Sequence, residues 1–231
     1  MRKLILFDLD GTLVDVFDVH IESYIKMIKE VFGVDLAPED LIKNIGHPAR
    51  VVIGSPLLER GIDPKIIEEK METAYKSYKS HLEHGLKGTG EDVILPGVVR
   101  LLDVLSQKGE ILGLVTGNIS TVGMLILEIT GLVKYFKVHS FGDVALRRSE
   151  MIGRAVELAK ERYGFVPESR NVFIVGDAAP DIQAGKEFGC VTIAVATGLA
   201  KESDLERENP EFLFKSLEDT EDVLKVFEDQ I

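Results

Sequence analysis

The chain has 231 residues, a length that fits one large domain or one domain carrying a smaller insert. Its 45% hydrophobic and 29% charged residues, with 21 glycines and 8 prolines, describe an ordinary globular protein and exclude a collagen-like or low-complexity chain. A net charge of -12 makes a phosphate backbone an unfavourable partner, which sets nucleic acid aside.

The single cysteine, Cys190, cannot form an intramolecular disulfide, which suits a reducing compartment. The apolar run Leu4-Ile5-Leu6-Phe7 is cut off by Asp8 and Asp10, unlike a signal peptide. No apolar stretch approaches the ~20 residues of a membrane helix. A cytoplasmic protein without a membrane partner, monomeric or homodimeric, is the expectation.

In chain order, residues 3–7 read as the first strand. From 16 to about 90 the pattern becomes helical. Phe17, Ile21, Tyr24, Ile25, Ile28, Val31 and Phe32 fall at helical spacing up to Gly33, and Ile67, Met71, Ala74, Tyr75, Tyr78 and Leu82 do so up to Gly85. This block reads as a helical cap domain, 16–90, inserted into a core formed by 1–15 and 91–231. The glycine-rich return segment 85–95 could act as a hinge. Beyond it, helical stretches at 97–107, 120–129, 150–162 and 180–188 alternate with apolar runs at 111–115, 138–141, 172–175 and 191–195. A last helix is expected over 216–227. Such alternation predicts an α/β, Rossmann-like parallel sheet of five strands.

Polar clusters stand where strands end. The first strand runs into Asp8-Leu9-Asp10-Gly11-Thr12, the second ends in Thr116-Gly117-Asn118, and the fourth ends in Gly176-Asp177, with Asp181 following. Ligands of open α/β sheets bind outside the carboxyl ends of strands, so three such clusters predict one site. Two carboxylates about 4 Å apart repel by about 4 kcal/mol at an effective dielectric of ~20. Four in one crevice therefore call for a cation or for protons. Oxygen donors without cysteine or histidine favour a hard ion, Mg²⁺ first.

These motifs, in this order and with a helical insertion after the first strand, resemble the haloacid dehalogenase superfamily in its phosphatase branch. The resemblance runs to about Gly198 and implies a sheet ordered 5-4-1-2-3. It also implies a Mg²⁺-dependent phosphatase acting on a small phosphorylated metabolite. Asp8 would be the nucleophile that forms an aspartyl-phosphate, and Asp10 the general acid and base. Thr12 would cap the turn and join Thr116, Gly117, Asn118 and a basic residue in binding phosphate. The metal ligands would be Asp8, the Asp10 carbonyl and Asp177, with Asp181 either binding the ion directly or standing behind its ligands. Asp10 argues against carbon–halogen chemistry, which needs no acid there.

One motif departs from the pattern. Where the superfamily usually supplies a lysine after the third strand, this chain has Ala145-Leu146-Arg147-Arg148-Ser149-Glu150. The Arg-x-Glu spacing favours Arg148 over Arg147, and arginine can fork onto phosphate oxygens. The segment Asn44–Arg50 resembles the substrate-recognition loop of phosphoglycolate phosphatases and β-phosphoglucomutases. It makes His47 and Arg50 candidates for substrate specificity, against a reading in which Arg50 faces solvent. His20 could face the site without motif support, while His81, His84 and His139 read as surface or structural. A phosphomutase of the β-phosphoglucomutase type and a degraded binding protein stand as alternatives.

Overall fold

The computed structural model describes residues 2–228 except 144, 146 and 169; Leu146 of the arginine-bearing stretch and residues 229–231 thus lie outside the described part. Six parallel strands form one sheet in the order β3-β2-β1-β4-β5-β6. They are β1 Leu4–Phe7, β2 Ile111–Thr116, β3 Val138–Phe141, β4 Val172–Gly176, β5 Val191–Val195 and β6 Phe212–Phe214. The first five stand as expected, with β1 between β2 and β4. The sixth strand was not foreseen: three half-buried residues, Phe-Leu-Phe, extend the sheet beside β5. β1, β2, β4 and β5 are buried throughout, as continuous apolar strands covered on both faces should be.

One sheet face carries Ile5, Phe7, Leu112 and Phe173 against α5 (Val98–Gln107), α6 (Ser120–Ile129) and α10 (Thr220–Glu228). The opposite face carries Leu4, Leu6, Val115 and Ile174 against α7 (Arg148–Tyr163), with α8 (Ala179–Phe188) packed beside it. Alternate residues of one strand thus feed two separate cores. The short helix α9 (Glu202–Arg207) packs Leu205 against Ala194 of β5 and Ile182 of α8. The tail helix begins at Thr220, four residues later than its apolar pattern predicts.

Between β1 and α5 lie four α-helices, α1 (Phe17–Phe32), α2 (Pro38–Ile42), α3 (Ala49–Glu59) and α4 (Pro64–Gly85), followed by a single 3-10 turn, Glu91–Val93. No strand occurs there. α1 and α4 pack along each other through Tyr24, Ile28, Ala74 and Tyr78, and the Tyr24 and Tyr78 rings stack at 4.0 Å. α1 ends at Gly33, whose φ of 70° is the left-handed stop that glycine adopts without strain. The chain leaves the sheet and returns to it along one path. Asp15 N donates to Val93 O (2.8 Å), and Leu95 N donates to Leu13 O (2.9 Å), an antiparallel clasp completed by the Val14–Ile94 bridge.

Candidate active site

At the carboxyl ends of β1, β2 and β4 a cavity of about 60 Å³ is roofed by α1 and by the loop between α2 and α3. Asp8 and Asp10 reach it from β1, Thr116, Gly117 and Asn118 from β2, and Asp177 from β4. The sheet order accounts for this: β1 is hydrogen-bonded to both β2 and β4, so the three predicted motifs share one rim.

Asp8, Asp177 and Asp181 each offer a carboxylate oxygen within 4.8 Å of the others, and all three residues are buried. Gly11 and Gly198 make room for the Asp177 carboxylate, since a Cβ at either would overlap its Oδ2. Thr12 donates its hydroxyl to Asp177 Oδ1 (3.1 Å) and is fully buried; it holds an acid of the cluster and does not line the cavity. Asp181, in the first turn of α8, accepts from Ala178 N through Oδ2 (3.2 Å).

The buried Arg148 side chain enters this cluster. Its Nη2 donates to Asp8 Oδ1 and lies 2.6 Å from Asp181 Oδ1, an ion pair without hydrogen-bond alignment. Its Nη1 donates to the carbonyl of Gly46 (2.6 Å), on the loop that roofs the cavity. Arg147 points away and pairs on the surface with Glu187. The structure therefore brings Arg148, and not Arg147, to the acids.

Burial dominates the electrostatics. It pushes the Asp8 carboxyl up to about 7 against the opposing pull of Arg148, with Asp181 and Asp10 adding to the rise. Burial, then the charges of Asp8 and Asp181, push Asp177 well above the ordinary carboxylate range; burial also raises Asp181, opposed by Arg148. Three carboxyls facing one guanidinium leave an excess of negative charge. With oxygen donors only and Asp181 Oδ1 lacking an aligned hydrogen bond, the cluster fits a hard divalent cation.

Asp10 stands apart from that cluster. Asn118 Nδ2 donates to its Oδ2, and His20 Nε2 lies 2.8 Å from its Oδ1. On the far side of the ring, His20 Nδ1 lies 2.5 Å from the Tyr78 hydroxyl on α4. His20 thus ties the second acid of β1 to the helical block. The sequence contains a signal for it: Phe17, His20 and Tyr24 lie at i, i+3 and i+7 of α1, and all three line the cavity. Nothing local marks Tyr78, which arrives from a helix 58 residues away in sequence.

Of the two specificity candidates, His47 lines the cavity, half-buried, with its charged form disfavoured by burial and by Arg148. Arg50 does not reach the cavity; it pairs with Glu68 of α4 at the surface, as its alternative reading had it. Gly117 lets the roofing loop approach: Ala49 N donates to its carbonyl (2.8 Å), and a Cβ there would overlap the His47 carbonyl.

A doubly wound parallel sheet with buried acids at the ends of β1 and β4, and hydroxyl and amide groups at the end of β2, defines an α/β enzyme with its candidate site at the topological switch point. The chain belongs to the haloacid dehalogenase-like hydrolases, whose family model matches residues 5–195. It is 31% identical to pyrophosphatase PpaX of Anoxybacillus flavithermus, over 96% of both chains. It is 28% identical to phosphoglycolate phosphatase of Agrobacterium fabrum, over 86% of this chain and 82% of that one. A β-phosphoglucomutase of Clostridium difficile shares the fold with a TM-score of 0.82 at 15% identity, over 99% and 98% of the two chains. No described helix is long and apolar enough to cross a membrane.

Proposed function

We propose that this hydrolase is a Mg²⁺-dependent phosphatase of small phosphomonoesters, with residues 16–90 as a cap domain over a core of 1–15 and 91–231. The observation that carries this reading is the division of labour between the two acids of β1. Asp8 sits among cationic and metal-fitting groups, whereas Asp10 is held separately by His20 and Asn118.

Asp8 Oδ attacks phosphorus, and the bond from phosphorus to the alcohol oxygen breaks. Asp10 hands its proton to that departing oxygen, giving the free alcohol and an aspartyl-phosphate. Water then attacks phosphorus while Asp10 takes its proton, and the bond to Asp8 breaks to give inorganic phosphate. Arg148, Thr116 and the amides of Gly117 and Asn118 hold the phosphoryl oxygens as charge moves between the two apical ones. Asp8, Asp177, Asp181 and the Asp10 carbonyl would hold Mg²⁺, which would supply the charge neutralisation that lets two anions meet. Exclusion of bulk water falls to Phe17, Tyr24, Ile45 and Val52 above the acids.

Phosphate release from p-nitrophenyl phosphate should require Mg²⁺ and vanish in excess chelator. Asp8→Asn should abolish turnover with little change in thermal stability. Full activity in chelator, or near-normal turnover of Asp8→Asn, would sink the mechanism.

A further inference from the structure

The cavity has a direction. If Asp10 protonates the leaving oxygen, as proposed above, then the organic part of the substrate leaves phosphorus on the Asp10 side. There the wall consists of Phe17, His20 and Tyr24 of α1, with Val52 of α3 and Ile45 of the roofing loop. Phe17, Tyr24 and Val52 are buried and uncharged, and Ile45 is half-buried. Neither histidine on this side supplies a spare positive charge: His20 is held between Asp10 and Tyr78, and burial disfavours the charged form of His47.

Among the described lining residues, Arg148 is the one arginine or lysine, and its terminal nitrogens face Asp8 and Asp181 on the phosphoryl side and the Gly46 carbonyl, rather than Asp10. Arg50 is turned to Glu68. Lys43 lines a hollow that adjoins the cavity across Ile45 and His47 but is not lined by Asp10, and its ammonium pairs with Glu59. A second anion on the leaving group would therefore be buried without a partner, beside carboxylates, in a low-dielectric corner. The cavity is small, about 60 Å³.

We infer that the leaving group is a small, uncharged alcohol, so that the preferred substrates are neutral alkyl phosphomonoesters, disfavouring pyrophosphate and phosphorylated carboxylic acids. The firm hold on Asp10 agrees with this choice. An alkoxide is a poor leaving group and needs the proton, whereas a departing phosphate needs a cation that this wall lacks.

The inference rests on the phosphatase reading, and one panel separates the two. Ethyl phosphate and phosphoglycolate differ by a methyl against a carboxylate; pyrophosphate completes the set, and p-nitrophenyl phosphate reports phosphatase competence. With Mg²⁺, kcat/KM for ethyl phosphate should exceed that for phosphoglycolate and for pyrophosphate by roughly ten- to hundred-fold. Ile45→Lys places a cation on the wall and should shrink the ethyl-to-phosphoglycolate ratio several-fold. Turnover of p-nitrophenyl phosphate with phosphoglycolate or pyrophosphate equal to or ahead of ethyl phosphate overturns the substrate class alone. An unchanged ratio in folded Ile45→Lys also overturns it. No phosphate release from any of the four overturns the phosphatase reading and the substrate class together.

Discussion

Arg148 combines three duties that a lysine would have to divide. One terminal nitrogen, Nη2, reaches both Asp8 and Asp181, and the other, Nη1, reaches the Gly46 carbonyl. A single ammonium is a point charge and cannot present that planar spread. Arg148→Ala removes the guanidinium from a transition state whose equatorial oxygens stay charged, so kcat should fall about 10²–10³-fold at saturating Mg²⁺. Arg148→Lys should recover part of that loss, and Arg147→Ala should be nearly silent, since Arg147 is exposed and paired with Glu187. A large defect in Arg147→Ala with a silent Arg148→Ala would reverse the assignment. His20 acts on the other acid. His20→Asn removes one of two groups that orient Asp10, which should cost roughly ten- to hundred-fold in kcat with an alkyl phosphate. The cost should be much smaller with p-nitrophenyl phosphate, whose leaving group needs little protonation. Equal losses on both substrates would show that His20 matters to the fold rather than to Asp10.

Elements decide how these residues meet, and the α2–α3 loop is the one most closely fitted to the core. Its His47 carbonyl and Ala49 amide sit directly on Gly117. Gly117→Ala forces a Cβ into the His47 carbonyl, so the loop must lift and take Gly46 away from Arg148. Overpacking of this kind costs about 1–3 kcal/mol. Urea unfolding should register that loss, together with at least a several-fold fall in kcat/KM; an unchanged kcat/KM would mean the loop does not shape the site. This contact also marks where sequence reading ran out. The strand tips were legible because a continuous apolar run that halts at Asp8-Leu9-Asp10-Gly11-Thr12 has a local pattern, and so were Asp177 and the arginine beside Glu150. β6 was not, because three residues are too short to display a period. Arg50 stood evenly between two readings, since its partner Glu68 lies on another helix. Thr12 was expected at the phosphate, but its hydroxyl is turned to Asp177, a choice set by the pairing of β1 with β4. Local pattern reports which element carries a residue; which neighbour that residue faces is settled by packing between distant segments.

At the scale of the whole molecule, the buried acids link folding to pH and, on the proposed mechanism, to metal. Raised carboxyl pKa values mean that the native protein binds more protons than the unfolded chain between the ordinary aspartate value of about 3.9 and about 7, the value to which Asp8 is pushed. Stability of the metal-free protein therefore falls as pH rises through that window, and Asp177 and Asp181 act in the same direction. Exposed pairs such as Glu22–Lys26 and Glu72–Lys76 have lowered carboxyl pKa values and pull the other way. Solvent screens them, and they contribute equally whether or not metal is present. A divalent cation competes with protons for the Asp8, Asp177 and Asp181 oxygens and binds the native state alone, so its stabilisation should grow with pH. Thermal melts in millimolar Mg²⁺ and in chelator should accordingly lie closest together near pH 5 and diverge towards pH 8, with the chelator curve falling. Asp177→Asn removes one anion from the cluster and should flatten the chelator curve while narrowing the gap at high pH. A gap of constant width would mean that these carboxyls are already ionised in the metal-free fold and that Arg148 suffices to hold them.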